Sequence, residues 1–300
     1  FLNIFGKNHV VKYDGLAGGK GVKVSRDHLH SHDEALSYCQ ELVDKDGKFV
    51  IEEKFTGEEF SLMSFCDGNT LKHMPAVQDH KRAYEGDTGP NTGGMGTYSD
   101  TNHSLPFLTD DDISQAHSIN LATAKALKDK FDDSYKGILY GGFMATAAGV
   151  KLIEYNVRFG DPEAMNVLSL LESDFIELCH SIVDGTLGSV EVQFKKKATV
   201  CKYAVPEGYP DNPVKGEPIE ISRIENPDNL FFASVESSNG QLVESGSRTI
   251  AVIGIADSIS EAEKIAEKEV SLILGPLFHR TDIGTDAVIQ KRIEHMNSFR

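Results

Sequence analysis

The chain of 300 residues carries 30 Lys and Arg against 46 Asp and Glu, a formal net charge of −16, the wrong sign for a protein that reads a phosphate backbone. With 40% hydrophobic, 25% charged and 8% aromatic residues, it has the composition of a globular protein of two or three domains, not of a disordered or fibrous chain. No apolar run approaches the ~18 residues of a membrane span, and the four cysteines (Cys39, Cys66, Cys179, Cys201) stand far apart without a CxxC pair, which points to neither a zinc site nor a disulfide framework and makes a reduced cytoplasm the expected setting.

The start, Phe1-Leu2-Asn3-Ile4-Phe5-Gly6, lacks Met and the basic-then-apolar order of a signal peptide, so it reads as a cut edge. Residues 9–24 predict a strand, a glycine loop and a second strand. The loop, Gly15-Leu16-Ala17-Gly18-Gly19-Lys20-Gly21, is flanked by Lys12 and contains Lys20. Glycines let several backbone N–H groups approach phosphate oxygens, and lysine adds charge. It is not a Walker A loop: the spacing is one residue short, and Gly21 stands where Ser or Thr must ligate Mg²⁺. A plain hairpin turn fits the segment equally well. Residues 28–43 carry a weak helical pattern (Ala35, Leu36, Cys39, Leu42, Val43), and strands are predicted at 49–53 and 60–66.

Glu52-Glu53-Lys54-Phe55-Thr56-Gly57-Glu58-Glu59 crowds carboxylates at a strand end. Exposed charges are the rule, which makes a solvated acidic edge the commoner explanation. The alternative is a nucleotide hinge, with backbone groups at adenine and a carboxylate at the ribose. Further on, Gln78-Asp79-His80-Lys81-Arg82 sets a basic pair before a segment with five glycines and Pro90 between residues 85 and 98. That is too many for a regular element and suits either a loop closing over a small anionic substrate or merely a mobile surface loop.

Thr109 is the expected N-cap of a helix to Phe131 whose first turn, Asp110-Asp111-Asp112, complements the helix dipole. Strands are predicted at 137–145 and 150–157, then one helix over 162–183. Within the second strand Glu154 and Asn156 share a face, with Arg158 continuing the row into Gly160-Asp161-Pro162-Glu163. Two adjacent oxygen donors suit Mg²⁺, and an arginine beyond them suits phosphate or carboxylate; the polar side of a half-exposed strand is the other explanation, and the Gly-Asp-Pro turn that follows favours the site. Past residue 188 the pattern is mainly β, with an Asn239-Gly240 hairpin signal and one helix opening at Ser260-Glu-Ala-Glu263. The histidines at 28, 30 and 32 have no metal spacing and read as surface residues.

The order of VVKYDGLAGGKGV, IEEKFTGEEFS, QDHKR, DTGPNTGGMG, LIEYNVRFGDPEAM and FHRTDI resembles the ATP-grasp ligases, and within them the phosphoribosylamine-glycine ligase (glycinamide ribonucleotide synthetase) family, over residues 10–290. The resemblance implies an α+β fold in which two lobes, residues 1–66 and 67–188, clasp ATP, followed by a β-rich domain at 189–300. It further implies that this chain begins after an amino-terminal domain of the family. Lys12, Gly18, Gly19, Lys20 and Gly21 would meet the ATP phosphates, Glu52, Glu53 and Phe55 the adenine, and Glu59 the ribose. Glu154 and Asn156 would hold Mg²⁺ or Mn²⁺. Glycine and 5-phosphoribosylamine would lie among Asp79, His80, Lys81, Arg82, Asn91, Thr92, Gly93, Gly94, Arg158, Asp161, Pro162 and Glu163, with Lys20 and Arg158 acting in catalysis. The implied reaction passes through glycyl phosphate and needs no protein nucleophile, nucleic acid or membrane. Two other functions fit the residues: another ATP-grasp carboxylate-amine ligase, and a nucleotide-binding fragment without catalysis.

Overall fold

The computed structural model describes residues 2–6, 8–15, 21–45, 47–131 and 133–300, and the chain divides into two units, Phe1–Thr56 and Gly57–Arg300. The smaller one opens with a short helix, α1 (Leu2–Phe5), and then builds an antiparallel sheet. In it β1 (His9–Tyr13) is flanked by β2 (Val22–Val24) and, later in the chain, by β3 (Phe49–Glu53), with α2 (His32–Asp44) between β2 and β3 in sequence. Ala35, Tyr38, Cys39 and Leu42 recur at helical spacing, and they pack with Val11 and the flanks of Phe49 and Ile51. Ser31 caps α2, its Oγ accepting from the Glu34 N–H at 3.1 Å, so the helix starts later than its apolar pattern suggests.

The larger unit begins with β4 (Gly57–Cys66), β5 (Leu71–His73), β6 (Gln78–Asp79), β7 (Arg82–Tyr84), β8 (Thr88–Asn91) and β9 (Gly96–Ser99). Next come α3 (Asp110–Phe131), β10 (Gly137–Thr146), β11 (Gly149–Asn156), α4 (Glu163–Leu170) and α5 (Phe175–Asp184). The last third holds β12 (Ala198–Pro206), β13 (Pro218–Ile219), β14 (Leu230–Phe232), β15 (Val235–Ser238), β16 (Gln241–Glu244), β17 (Ile250–Ala256), α6 (Ile259–Val270), β18 (Leu277–Phe278) and α7 (Asp286–Asn297).

One antiparallel sheet runs β11-β10-β4-β5, and β4 pairs with β10 along its whole length. Alternation then sorts its residues. Phe60, Leu62 and Phe143 face a core shared with Ala116 of α3 and with β12 and α6. On the other face Met63 and Phe65 pack with Val167, Leu178 and Ile182 of α4 and α5. Glu59 and Ser61 share that second face but lie beyond those helices. Tyr140 pairs with Asn156 and Gly142 with Glu154, and a bulge after Gly142 absorbs Ile153. Glu59, Ser61, Tyr140, Glu154 and Asn156 therefore share one polar face.

The second sheet, β14-β17-β12-β9-β6, joins strands of the middle and last thirds. Residues 67–188 and 189–300 thus form one unit, and the boundary expected at residue 66 falls at 56, because β4 is committed to β10 from Gly57 onward. The glycine-rich stretch contains regular structure after all: β7 and β8 form a hairpin and β9 is a fully buried strand. The helix expected over 162–183 breaks after Leu170, and Asp174 recaps the chain by accepting from the N–H groups of Ile176 and Glu177. Thr109 caps α3 as expected, exchanging bonds with Asp112 (Thr109 Oγ1 to Oδ2, 2.7 Å; Asp112 N–H to Oγ1, 3.2 Å). The cap of α6 is Ser258, not Ser260, and α7 is a second C-terminal helix that the β-rich reading missed. No helix among the described residues is long and apolar enough to cross a membrane.

Candidate functional site

In the larger unit, the polar face of the first sheet becomes the wall of a pocket lined by Glu59, Ser61, Asp79, Lys81, Tyr140 and Glu154. Gly142 carries no side chain, which leaves the face open between Ser61 and Glu154. Lys81 reaches Glu59 at 2.9 Å. Glu59 first, then Asp79 and Glu154, outweigh the opposing effect of burial and raise the Lys81 pKa, so the ammonium stays charged. Asp79 is the anomaly, with an enclosed Oδ1 that has no hydrogen-bond partner among the described residues. Burial, and then the charge of Glu163, push its carboxyl well above the ordinary range, against the pull of Lys81 and Arg248. A carboxylate left this way is costly and concentrates at working sites.

The Gly160–Glu163 turn closes one side. Glu163 is buried, and its Oε1 accepts from the Tyr140 hydroxyl at 2.7 Å. The Tyr203 hydroxyl donates to Asp161 Oδ1 at 2.9 Å. Arg248 donates to Asp161 Oδ2 at 3.0 Å, to the Asp161 carbonyl at 2.9 Å, and to the carbonyls of Gly93 and Gly94 at 2.9 and 3.3 Å. One guanidinium thus ties the glycine loop to the turn. Gly94 has a φ of +113°, and a Cβ there would lie 2.6 Å from Asp79 Oδ1 and 2.7 Å from Pro162 Cδ, so only glycine fits. Thr92 fastens the loop to the basic pair, its N–H and its hydroxyl both donating to the Lys81 carbonyl, at 2.7 and 2.9 Å. Arg82 donates to the Gly89 carbonyl at 2.8 Å, and Asn91 pairs with Arg82 across the hairpin.

The structure therefore gathers Glu59, Asp79, Lys81, Gly93, Gly94, Asp161, Pro162, Glu163 and Glu154 around one pocket and loop. His80 is set apart from these residues by its burial. It follows the end of β6, is 1% exposed, and its ring lies 5.8 Å from that of Tyr98, tilted by 43°. Burial and then Arg280 push its pKa down to about 4, and its buried Nε2 has no hydrogen-bond partner among the described residues. Arg158 lies on the exposed rim, donating to the Phe159 carbonyl at 2.8 Å and to Asn156 Oδ1 at 3.4 Å. Sequence reading missed Arg248, Tyr140 and Tyr203, since nothing local marks a residue 87 positions away as the partner of Asp161.

In the smaller unit, Lys12 on β1 pairs with Glu52 on β3 at 2.7 Å, so a residue expected at phosphate and one expected at adenine meet each other. Glu53 and Phe55 follow at the end of β3, and the Gly21 carbonyl accepts from Tyr13. Gly18, Gly19 and Lys20 lie outside the described residues.

Glu154 and Asn156 fit a hard divalent cation by donor chemistry: two oxygens on one strand face, at an exposed edge. No group of three or more His, Cys, Asp or Glu that could hold a metal occurs among the described residues. A cation at Glu154 and Asn156 would complete its shell with phosphate oxygens and water, the usual manner of Mg²⁺.

Residues 1–164 match the phosphoribosylglycinamide synthetase ATP-grasp (A) domain, and residues 199–286 match the C domain of the same synthetase. A phosphoribosylamine–glycine ligase of Methanosarcina barkeri is 54% identical over 97% of this chain and 66% of its own length. The enzyme of that name from Methanocaldococcus jannaschii is 52% identical over 97% of the chain and 67% of its length. The crystal structure of the Thermotoga maritima phosphoribosylamine–glycine ligase superposes with a TM-score of 0.83 at 30% identity, covering 94% of this chain and 70% of that one. A biotin carboxylase domain from Hydrogenobacter thermophilus, in complex with MgADP, shares the fold at a TM-score of 0.66 and 14% identity. The chain spans about two thirds of the length of the curated relatives it matches. With the ATP-grasp segments in order and the C domain following them, the chain belongs to the phosphoribosylglycinamide synthetase family.

Proposed function

We propose that the chain carries the catalytic site of an ATP-dependent ligase that joins glycine to 5-phosphoribosylamine, releasing glycinamide ribonucleotide, ADP and phosphate in de novo purine synthesis in the cytoplasm. The observation that carries this reading is the convergence on one pocket of Lys81, Asp79 with its unpartnered Oδ1, and Glu154, with Asn156 on the same strand face as Glu154, in a chain of this family. A glycine carboxylate oxygen attacks the γ-phosphorus of ATP, ADP departs, and glycyl phosphate forms. The amine nitrogen of phosphoribosylamine then attacks the carbonyl carbon, phosphate leaves with its electron pair, and the nitrogen loses a proton.

Such a transfer demands positioning and charge neutralisation more than covalent chemistry. Lys81 and Arg158 supply fixed positive charge in the larger unit, and Lys12, Lys20 and the glycine loop supply it in the smaller. Glu52, Glu53 and Phe55 meet the adenine, and Glu59 the ribose once it parts from Lys81. Glu154 and Asn156 would hold Mg²⁺ or Mn²⁺, which would offset charge on the phosphate oxygens. Asp79 and Glu163 face the amino group of glycine, and Arg82 with Asn91–Gly94 receives the sugar phosphate. Glycyl phosphate hydrolyses readily, so the glycine loop also excludes water.

Glycine labelled with ¹⁸O in its carboxylate tests the route. One labelled oxygen should appear in the phosphate released per turnover. Unlabelled phosphate accompanying amide formation would rule out the acyl phosphate.

A further inference from the structure

The hairpin β7–β8 is held by a charge cluster drawn from the far end of the sequence. Asp87, at its tip, has a φ of +58°, a left-handed conformation uncommon for a residue other than glycine. Both of its carboxylate oxygens are taken: Oδ1 accepts from Arg280 Nη1 at 3.0 Å and Oδ2 from Arg292 Nη2. Arg280 is 1% exposed. It also donates to the Arg82 carbonyl at 3.0 Å and, through Nε and Nη2, to Asp282 at 2.8 and 2.7 Å. Asp282 in turn accepts from the Gly86 N–H at 2.9 Å, and Thr281 donates to Glu85 Oε1 at 2.5 Å. Arg292 continues to Glu58 on β4 at 3.1 Å, and His295 meets the other Glu58 oxygen at 2.6 Å. Burial would raise the Asp87 carboxyl, but Arg292 and Arg280 outweigh it and leave the group below the usual range.

The cluster is larger than the hairpin needs for its own strand pairing. It fixes both ends of the hairpin, Arg82 at its base and Gly86–Asp87 at its tip, against α7 and the Arg280–Asp282 segment, and it anchors to β4 beside Glu59. A two-stranded hairpin alone is marginal in water, so without this anchoring the side chains it presents would sample many positions. We propose that Asp87, clamped by Arg280 and Arg292, is a positioning residue that sets the Arg82–Asn91 hairpin in the geometry that receives the phosphate-bearing amine, without touching that substrate. This rests on the assignment of Arg82 and Asn91 to that substrate.

Asp87→Asn isolates the charge, because asparagine tolerates the left-handed conformation, while Arg280 retains Asp282 and Arg292 retains Glu58. The apparent KM of a substrate rises as the inverse of the binding-competent fraction, and losing hydrogen bonds from buried charged groups lowers that fraction about tenfold. The KM for phosphoribosylamine should therefore rise about tenfold, with those for ATP and glycine unchanged. Amide hydrogen exchange in residues 82–91 should accelerate without a matching change in β12. Arg280→Lys, which keeps charge and loses the fork, should reproduce the pattern. Equal KM changes for all three substrates, or unaltered exchange in the hairpin, would overturn the proposal. Unaltered kinetics in a variant whose melting temperature falls would do the same, showing the clamp to be structural only. The wild-type arm is separate: if it makes no amide from the three substrates, the ligase reading fails, while the exchange comparison still decides whether the clamp orders the hairpin.

Discussion

Replacing Arg248 with methionine removes the guanidinium that joins the glycine loop to the Asp161 turn while keeping most of the volume of the stem. In the structure its Nη1 serves three carbonyls, of Gly93, Gly94 and Asp161, and its Nη2 serves Asp161 Oδ2. Hydrogen bonds from a charged donor contribute about 1.5–3 kcal/mol each, but three bonds sharing one nitrogen are not independent. Asp161 keeps the Tyr203 hydroxyl and, with a side chain 53% exposed, recovers water. The Gly94 carbonyl does not, because Gly94 is buried. The net loss should be about 3 kcal/mol, which for a unit of this size lowers the melting temperature by about 6–12 °C. Arg248→Lys retains charge but only a point donor, and should recover less than half of the loss. Urea titrations followed by circular dichroism measure both variants, and the KM for phosphoribosylamine should rise in the same order. A destabilisation below about 1 kcal/mol in the methionine variant, or identical behaviour of the two, would refute the tether.

Three further outcomes follow from the same geometry. Glu154→Ala should cut turnover by about a hundredfold or more while leaving the ATP dissociation constant within a few-fold, since divalent charge counts most as charge moves in the transition state; unchanged turnover would remove Glu154 from the metal site. Asp79→Asn should raise the melting temperature at pH 7.5 while lowering activity. A carboxyl whose folded pKa lies above its unfolded value stabilises only below the unfolded value, and that contribution is lost as pH rises through the folded one, so a lower melting temperature in the variant would contradict the assignment. His73 stacks on His117 with ring centroids 3.8 Å apart, and burial, then His117, push its pKa down to about 4. Its contribution is present above the unfolded value of about 6.5 and is lost as pH falls toward about 4. The urea midpoint should therefore drop less between pH 7.5 and pH 5 in His73→Gln than in the wild type, and an equal drop would refute it.

How far the residues alone disclosed this depended on the range of each interaction. Strands β10 and β11 were legible because their alternation and the turn between them are local, and so was the shared face of Glu154 and Asn156. The Asn239-Gly240 hairpin formed as expected, with both residues at positive φ (51° and 80°). The limits of α6 were legible only approximately, because Ser258-Ile-Ser-Glu261 and Ser260-Glu-Ala-Glu263 are rival caps two residues apart and local chemistry does not choose between them. The glycine-rich segment misled because composition argues against strands, while β9 is stabilised by its neighbours β12 and β6, contributed from elsewhere in the chain. His80 stands in the run Gln78–Arg82 beside Asp79 and Lys81, yet it is buried near Tyr98 while those two line the pocket, a difference no local pattern announces. Arg248, Arg280 and Arg292 were invisible as partners: each acts across more than 80 residues, and no spacing rule reaches that far.

On the proposed function, the pocket at Asp79, Lys81 and Glu154 performs a three-substrate ligation. The most direct measurement is ADP release by this chain with Mg-ATP, glycine and freshly generated phosphoribosylamine, each omitted in turn, with Glu154→Ala in parallel. Release should require all three substrates and be lost in the variant. Release indifferent to the amine or to glycine, or no release while Mg-ATP still binds, would contradict it.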